Sequence, residues 1–247
     1  MLVSALAVYG LSATSAFGFA RLQIEGATIT PEDAVRDRLE LAQGENLFEI
    51  VTEPLEARIG EIPAIASVDI TLGLPDTVAV RIEERVPILV WQIGERRLVV
   101  DESGLLFARL DRSPPGSVAD LPVILDTRVD SARLAVGLPI DAVDFDVARR
   151  LASLTPATVG SAATELAVGV TDENGFVVSS VPESWVAVFG FYGRSLRTPD
   201  LVPGQVQLLG TLLLGREPTV ARVILADDRD GTYIPKASAQ PSAAPAP

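Results

Sequence analysis

The chain has 247 residues, enough for two domains with separate cores, and a net charge of −13 that repels phosphate backbones. Only one of its 20 basic residues is a lysine, Lys236, so nucleic acid is not an expected partner. Cysteine and histidine are both absent, which removes disulfides, thiolate metal sites, the commonest general base and every Ser-His-Asp or Cys-His arrangement.

Leu2 to Ala20 carries no charge and approaches the roughly 20 apolar residues that cross a bilayer. Three readings compete: a membrane anchor whose basic flank precedes this start, a secretory signal peptide, and a buried apolar arm. The anchor is preferred, because no small-x-small cleavage site precedes a linker and a strand pattern begins almost at once.

Arg21 to Glu25 alternates polar and apolar before Gly26, as a half-buried strand does. Thr30-Pro31-Glu32-Asp33 supplies an N-cap, a first-turn proline and acids for a helix over 31–41. Gly44 breaks that helix, and Leu47 with Phe48 is expected to plug the core. A second helix is expected from a Thr52 cap to Gly60, where Leu55 and Ile59 share a face. Strands follow over 65–72 and 77–83, turned at Leu74-Pro75-Asp76. Glu83 and Glu84 are adjacent on a strand and point to opposite faces, so a solvated strand end is preferred to a catalytic carboxylate pair.

Beyond Pro87, residues 88–93 and 97–100 read as strands joined through Gly94-Glu95, and Asp101 to Gly104 as a turn. Asp101 and Glu102 are read as turn residues, not metal ligands. A polar loop over 109–119 leads into a strand at Leu121-Pro122-Val123-Ile124. A packing helix is predicted over 142–154, with Val143, Val147, Leu151 and Leu154 on one face. Strands are predicted over 166–170, 176–181 and 185–191, with the Glu173-Asn174-Gly175 tip as a hairpin signal. A last helix is predicted over 203–214, stopped by Gly215. A last strand is predicted over 221–226, with Thr232-Tyr233-Ile234 as its extension. Residues 236–247, rich in Pro, Ala and Ser, read as a flexible tail.

Arg81-Ile82-Glu83-Glu84-Arg85-Val86-Pro87, followed by Val99-Val100-Asp101-Glu102-Ser103-Gly104-Leu105-Leu106-Phe107, resembles the join between the POTRA domain and β-domain of the FtsQ/DivIB family. Ile24-Glu25-Gly26, Gly44-x-Asn46-Leu47, Leu74-Pro75-Asp76, Leu121-Pro122-Val123-Ile124 and Phe189-Gly190-x-Tyr192 resemble further family positions. The chain departs from the family pattern at Ile224-Leu225-Ala226-Asp227, where Ile-Asp-x-Arg is usual, and it lacks the lysine often found near the start of the last helix.

The resemblance implies an α+β protein: an N-terminal transmembrane helix over 1–18, a β-α-α-β-β POTRA domain over 19–86, a mostly antiparallel β-domain with packing helices over 87–234, and a disordered tail over 235–247. It implies a single-pass cell-membrane protein at the division septum, largely extracytoplasmic. Such a protein is a non-enzymatic scaffold without cofactors that recruits FtsB/FtsL (DivIC) partners and the septal peptidoglycan synthase. An open sheet edge is expected to accept a partner strand at Arg222, Val223, Ile224, Leu225 and Ala226, with Tyr233 beside them. Three alternatives stay open: an outer-membrane assembly or secretion POTRA protein, a membrane-anchored hydrolase with paired carboxylates, and a wall-binding structural module.

Overall fold

The computed structural model describes residues 17–110, 116–193 and 197–237. It divides into two compact units that part between Val86 and Pro87. The expected membrane anchor lies outside the described residues up to residue 16. Among the described residues no helix is long and apolar enough to cross a membrane.

In the first unit β1 (Arg21–Glu25), α1 (Glu32–Leu39), α2 (Thr52–Gly60), β2 (Ile65–Gly73) and β3 (Thr77–Glu84) follow in order, and the sheet order is β1-β3-β2. The β2–β3 hairpin is antiparallel, with Ile70 opposite Val80, and β1 lies parallel to β3. Alternation places Val78, Val80 and Ile82 inward against Val35, Leu39, Leu55 and Ile59 of the two helices. The end of the apolar N-terminal run belongs to this unit: Gly18 bridges Asn46, and Phe19 is buried in the core.

Three local expectations need correction. Thr52 does not cap α2 but is its first helical residue, and Val51 occupies the cap position with no side-chain cap bond. Thr30 does not cap α1. Pro31 occupies that place, and Glu84 of β3 accepts the Ile29 and Thr30 amides at 2.6–2.9 Å instead. Only Leu47 plugs the core, because a 3₁₀ turn over Leu47–Glu49 sends its neighbour Phe48 outward, 56% exposed. There Phe48 meets Phe17 edge to face, with ring centroids 5.2 Å apart.

The second unit carries β4 (Leu89–Ile93), β5 (Arg96–Val100), β6 (Leu106–Arg109), a short α3 (Gly116–Ala119), β7 (Val123–Asp126) and α4 (Ala142–Ala152). Then come β8 (Glu165–Thr171), β9 (Gly175–Val181), β10 (Val186–Gly190), α5 (Val202–Leu213), β11 (Val220–Leu225) and β12 (Gly231–Pro235). These strands form one sheet of nine in the order β12-β11-β10-β9-β8-β7-β4-β5-β6. Its pairings are antiparallel except at β10–β11, β4–β7 and β7–β8.

Helices α4 and α5 bury one face of this sheet. Asp141 caps α4 by accepting the Val143 and Asp144 amides, an arrangement that stabilises a helix by about 1 kcal/mol. Phe145, Val147, Ala148 and Leu151 of α4 and Val206, Leu209 and Leu213 of α5 join Trp91, Ile124, Val168, Val178 and Val223 in one core. On the opposite face the register aligns Leu125, Gly169, Val177, Val188, Ile224 and Thr232 in one row across six strands.

Candidate partner-binding edge

The two ends of the nine-stranded sheet are treated differently. At β6 the chain covers the start of its own edge: Leu105 bridges Pro139, the Leu106 amide donates to Leu138 O at 3.0 Å, and the Gly137 amide donates to Leu106 O at 2.7 Å. At the other end, among the described residues, β12 pairs with β11 on one side only, and all five of its residues are exposed.

This arrangement corrects the expected edge. Residues 231–235 do not extend the preceding strand; they turn back and lie antiparallel on it, with Val223 opposite Tyr233 and Ile224 opposite Thr232. The reversal is built by Asp227, whose Oδ1 accepts the Arg229 and Asp230 amides at 2.7 and 2.6 Å. Those two backbone amides, Asp230 first, hold its carboxyl below the usual range. Because β11 is also paired with β10 on its other side, Arg222 to Leu225 lie in the sheet interior.

The six expected residues are therefore dispersed. Val223 and Leu225 are sealed in the core, and Ile224 and Arg222 face the open side of the sheet, where Arg222 Nη2 donates to Asn174 Oδ1 at 3.1 Å. Ala226 lies past the strand, its amide donating to Asp230 O at 2.8 Å. Only Tyr233 stands on the edge strand itself.

Which amides of β12 face outward follows from ladder alternation. The Ala226 amide donates to Asp230 O and the Lys236 amide to Thr219 O, so even-numbered positions turn toward β11. Thr232 and Ile234 thus face β11, and the amides and carbonyls of Gly231 and Tyr233 point away from it. Pro235 has no donor and ends the row.

The edge is held firmly from behind. Gln205 of α5 is fully buried and donates to Phe189 O at 3.3 Å and Leu225 O at 3.4 Å, at the ends of β10 and β11. Arg197 Nη2 donates to the same two carbonyls at 2.5 and 3.1 Å, and its guanidinium lies 5.4 Å from the Tyr192 ring centre. Tyr192 donates to Gln205 Oε1 at 2.5 Å, and burial pushes its phenol up to about 12. On the helix side of β12, the Arg216 guanidinium sits 5.8 Å from the Tyr233 ring centre.

Lys236 fixes the far end of β12, donating to Ser184 Oγ at 2.9 Å and Pro218 O at 3.0 Å. It is not part of a free tail, as expected from composition; residues 238–247 of that tail lie outside the described residues. Next to it Glu217 accepts the Trp185 indole N–H at 2.8 Å, the Ala162 amide at 2.9 Å and the Ser161 hydroxyl. Burial works to raise this carboxyl, but Ser161, Ala162, Trp185 and the nearby Lys236 charge together hold it below the usual range.

The carboxylates considered for chemistry have structural partners. Glu83 accepts the Ser67 hydroxyl at 2.8 Å, while Glu84 faces α1. Asp101 Oδ1 accepts the Ser103 and Leu105 amides, each at 2.9 Å, and closes its turn.

Residues 17–85 match the family model of a POTRA domain, FtsQ-type. Cell division protein FtsQ of Streptomyces coelicolor is 30% identical over 95 residues, covering 38% of this chain and 36% of that protein. FtsQ of Mycobacteroides abscessus is 26% identical over 138 residues, 56% of this chain and 44% of that one. FtsQ of Syntrophotalea carbinolica is 30% identical over 141 residues, 57% and 48%. The aligned stretches span about a third to a half of the length of these curated relatives. Residues 17–85 thus match an FtsQ-type POTRA domain, and over the aligned stretches the chain is similar to FtsQ cell division proteins.

Proposed function

We propose that this chain is a non-catalytic scaffold of the division machinery, held in the cell membrane by its N-terminal apolar run with both folded units outside the cytoplasm. It recruits an FtsB/FtsL-type pair at the septum and, through that pair, the septal peptidoglycan synthase. A segment of the partner adds to β12 as a tenth strand, bonding to the outward amides and carbonyls of Gly231 and Tyr233. The observation that carries this reading is the single-sided pairing of β12 among the described residues, beside a far edge whose start the chain covers itself.

Replacing Tyr233 by proline removes an outward donor and places a pyrrolidine ring in the path of the added strand. Pull-down of an FtsB-like partner is expected to weaken about tenfold or more. Ile234→Ala, which changes a side chain and no outward amide, is expected to bind within about twofold of wild type. A folded Tyr233→Pro variant that binds at wild-type strength would remove the edge from consideration. In cells, depletion is expected to give smooth filaments without septa; rounded or lysed cells would argue against a division role.

A further inference from the structure

A sheet packed on helices over one face alone carries polar side chains on the other. Here the open face departs from that rule. In the row of Leu125, Gly169, Val177, Val188, Ile224 and Thr232 the sole hydrogen-bonding side chain is a threonine. The neighbouring row, from Val123 through Ser179 and Val186 to Ile234, contains one charge, that of Arg222. Leu125 is 45% exposed, Ile234 47% and Val123 36%, so the aliphatic surface is open to solvent. At β4 and β5 the Leu125 row continues into the half-buried polar side chains of Gln92 and Arg97, and the neighbouring row is closed, with Val90 and Val99 at 0%. An apolar surface of this extent on a folded domain marks an interaction site.

Its relief and its charge indicate what lies on it. Strand β8 contributes only Ala167 and Gly169 to the middle, so the face is lowest along β8, between Val123 and Leu125 of β7 and Val177 of β9, two strand spacings apart. That is about 10 Å, the diameter of an α-helix with its side chains. The seven residues of β8 give it a length of about 23 Å, which about 15 helical residues fill. Both ends are acidic, with Glu165 and Glu183 at one and Glu173 at the other, while Asp172 turns to the helix side and accepts the Val129 amide at 2.8 Å.

We propose that the open face of β7, β8 and β9 is a docking trough for an amphipathic helix of a partner protein, with an aliphatic stripe about four turns long and Lys or Arg near both ends. A second copy of this chain fits poorly, since a two-fold pairing of this face brings the same three carboxylates, Glu165, Glu173 and Glu183, together. The site is separate from the β12 edge and stands without the strand-addition reading.

Site-specific photocrosslinking tests it. p-Benzoylphenylalanine replaces Leu125 in the full chain in the cells that produce it, and Leu214, 75% exposed at the end of α5, serves as the reference position. After irradiation, mass spectrometry identifies the attached peptides. The expected product at position 125, and not at 214, has aliphatic residues at helical spacing flanked by Lys or Arg. Val123→Lys in the same chain, with its fold checked by circular dichroism, is expected to lower the yield about fivefold. Identical products at both positions, a peptide from a second copy, or a partner segment lacking the helical stripe would overturn the proposal. So would an unchanged yield in the folded Val123→Lys chain.

Discussion

The indole nitrogen of Trp91 donates to Asp126 Oδ2 at 2.9 Å, and both side chains are sealed from solvent. Asp126 also accepts the Ser131 hydroxyl at 2.6 Å and the Arg128 guanidinium at 2.9 and 3.1 Å. Arg128 in turn donates to Asp144 Oδ2 at 2.5 Å. One carboxylate at the end of β7 thus ties the strand to the loop that follows it and, through Arg128, to the first turn of α4.

Removing that carboxylate leaves a buried indole donor and a largely buried guanidinium short of partners. Asp126→Ala is expected to destabilise the second unit by about 3–5 kcal/mol, and Asp126→Asn by less, since an amide still accepts from Trp91. Urea unfolding followed by tryptophan fluorescence measures both. An Asp126→Ala chain as stable as wild type would mean the network is incidental.

Acid should weaken the second unit through two carboxylates. Burial opposes ionisation of Asp126, yet Arg128 and Ser131 hold it below its ordinary 3.8; Glu217 is held below its ordinary 4.5. A carboxylate with a lowered folded pKa contributes stability above its unfolded pKa and loses it as pH falls through the folded one. The urea midpoint is therefore expected to be flat near neutrality and to fall below about pH 4.5, less steeply in Glu217→Gln. Equal acid slopes in the variant and wild type would contradict the assigned role of Glu217.

The alkaline side has a separate signature. Tyr192, one of three tyrosines, ionises near 12 because burial disfavours its phenolate. The unfolded phenol ionises first, so this contribution is complete below about pH 10 and is lost as pH rises toward 12. Absorbance near 295 nm should show a late-titrating phenol that Tyr192→Phe removes; its persistence in that variant would assign it elsewhere.

How far the sequence predicts this architecture depends on where the decisive contacts are made. Strict alternation of Val78, Val80 and Ile82 against polar neighbours marks β3, because one face of that strand meets the helices. Phe48 looked like a core residue beside Leu47, but adjacent positions on a 3₁₀ turn point apart, and hydropathy alone does not say which goes in. The edge strand is not legible in hydropathy, because residues 231–235 are exposed on both sides and carry no burial pattern. A signal was present, since Asp227-Asp228-Arg229-Asp230-Gly231 is a turn sequence whose first aspartate can accept the amides of the reversal. The Asp126–Arg128–Asp144 network joins a strand end to a helix start across a loop, and no local period encodes such a contact.

The two units should respond independently to a substitution confined to one. Gly26 has φ +90°, and a Cβ there would lie 2.0 Å from Ile82 O, so Gly26→Ala forces the β1 end away from β3. It is expected to destabilise the first unit by about 2 kcal/mol or more. Both tryptophans, Trp91 and Trp185, belong to the second unit. The fluorescence transition should therefore stay at its wild-type temperature while part of the far-ultraviolet circular dichroism melts earlier. A joint shift of both signals would mean the units unfold as one.

The orientation of β12 makes a residue-level prediction that needs no knowledge of the partner's sequence. With Thr232 and Ile234 turned toward β11, their amides are expected to exchange with deuterium about tenfold or more slowly than those of Gly231 and Tyr233, which face solvent. Lys236→Met removes the bonds to Ser184 Oγ and Pro218 O and should raise exchange across the strand from its C-terminal end. When an FtsB-like segment is added, the Gly231 and Tyr233 amides should become protected while Thr232 and Ile234 change little, since strand addition supplies acceptors only on the outer side. Protection of the even-numbered amides alone in the free chain, with no gain at Gly231 or Tyr233 on binding, would preserve the register but place the partner elsewhere. Slow exchange at Gly231 and Tyr233 in the free chain would mean the strand faces the other way, and Thr232→Pro, not Tyr233→Pro, would then be the variant that blocks the edge.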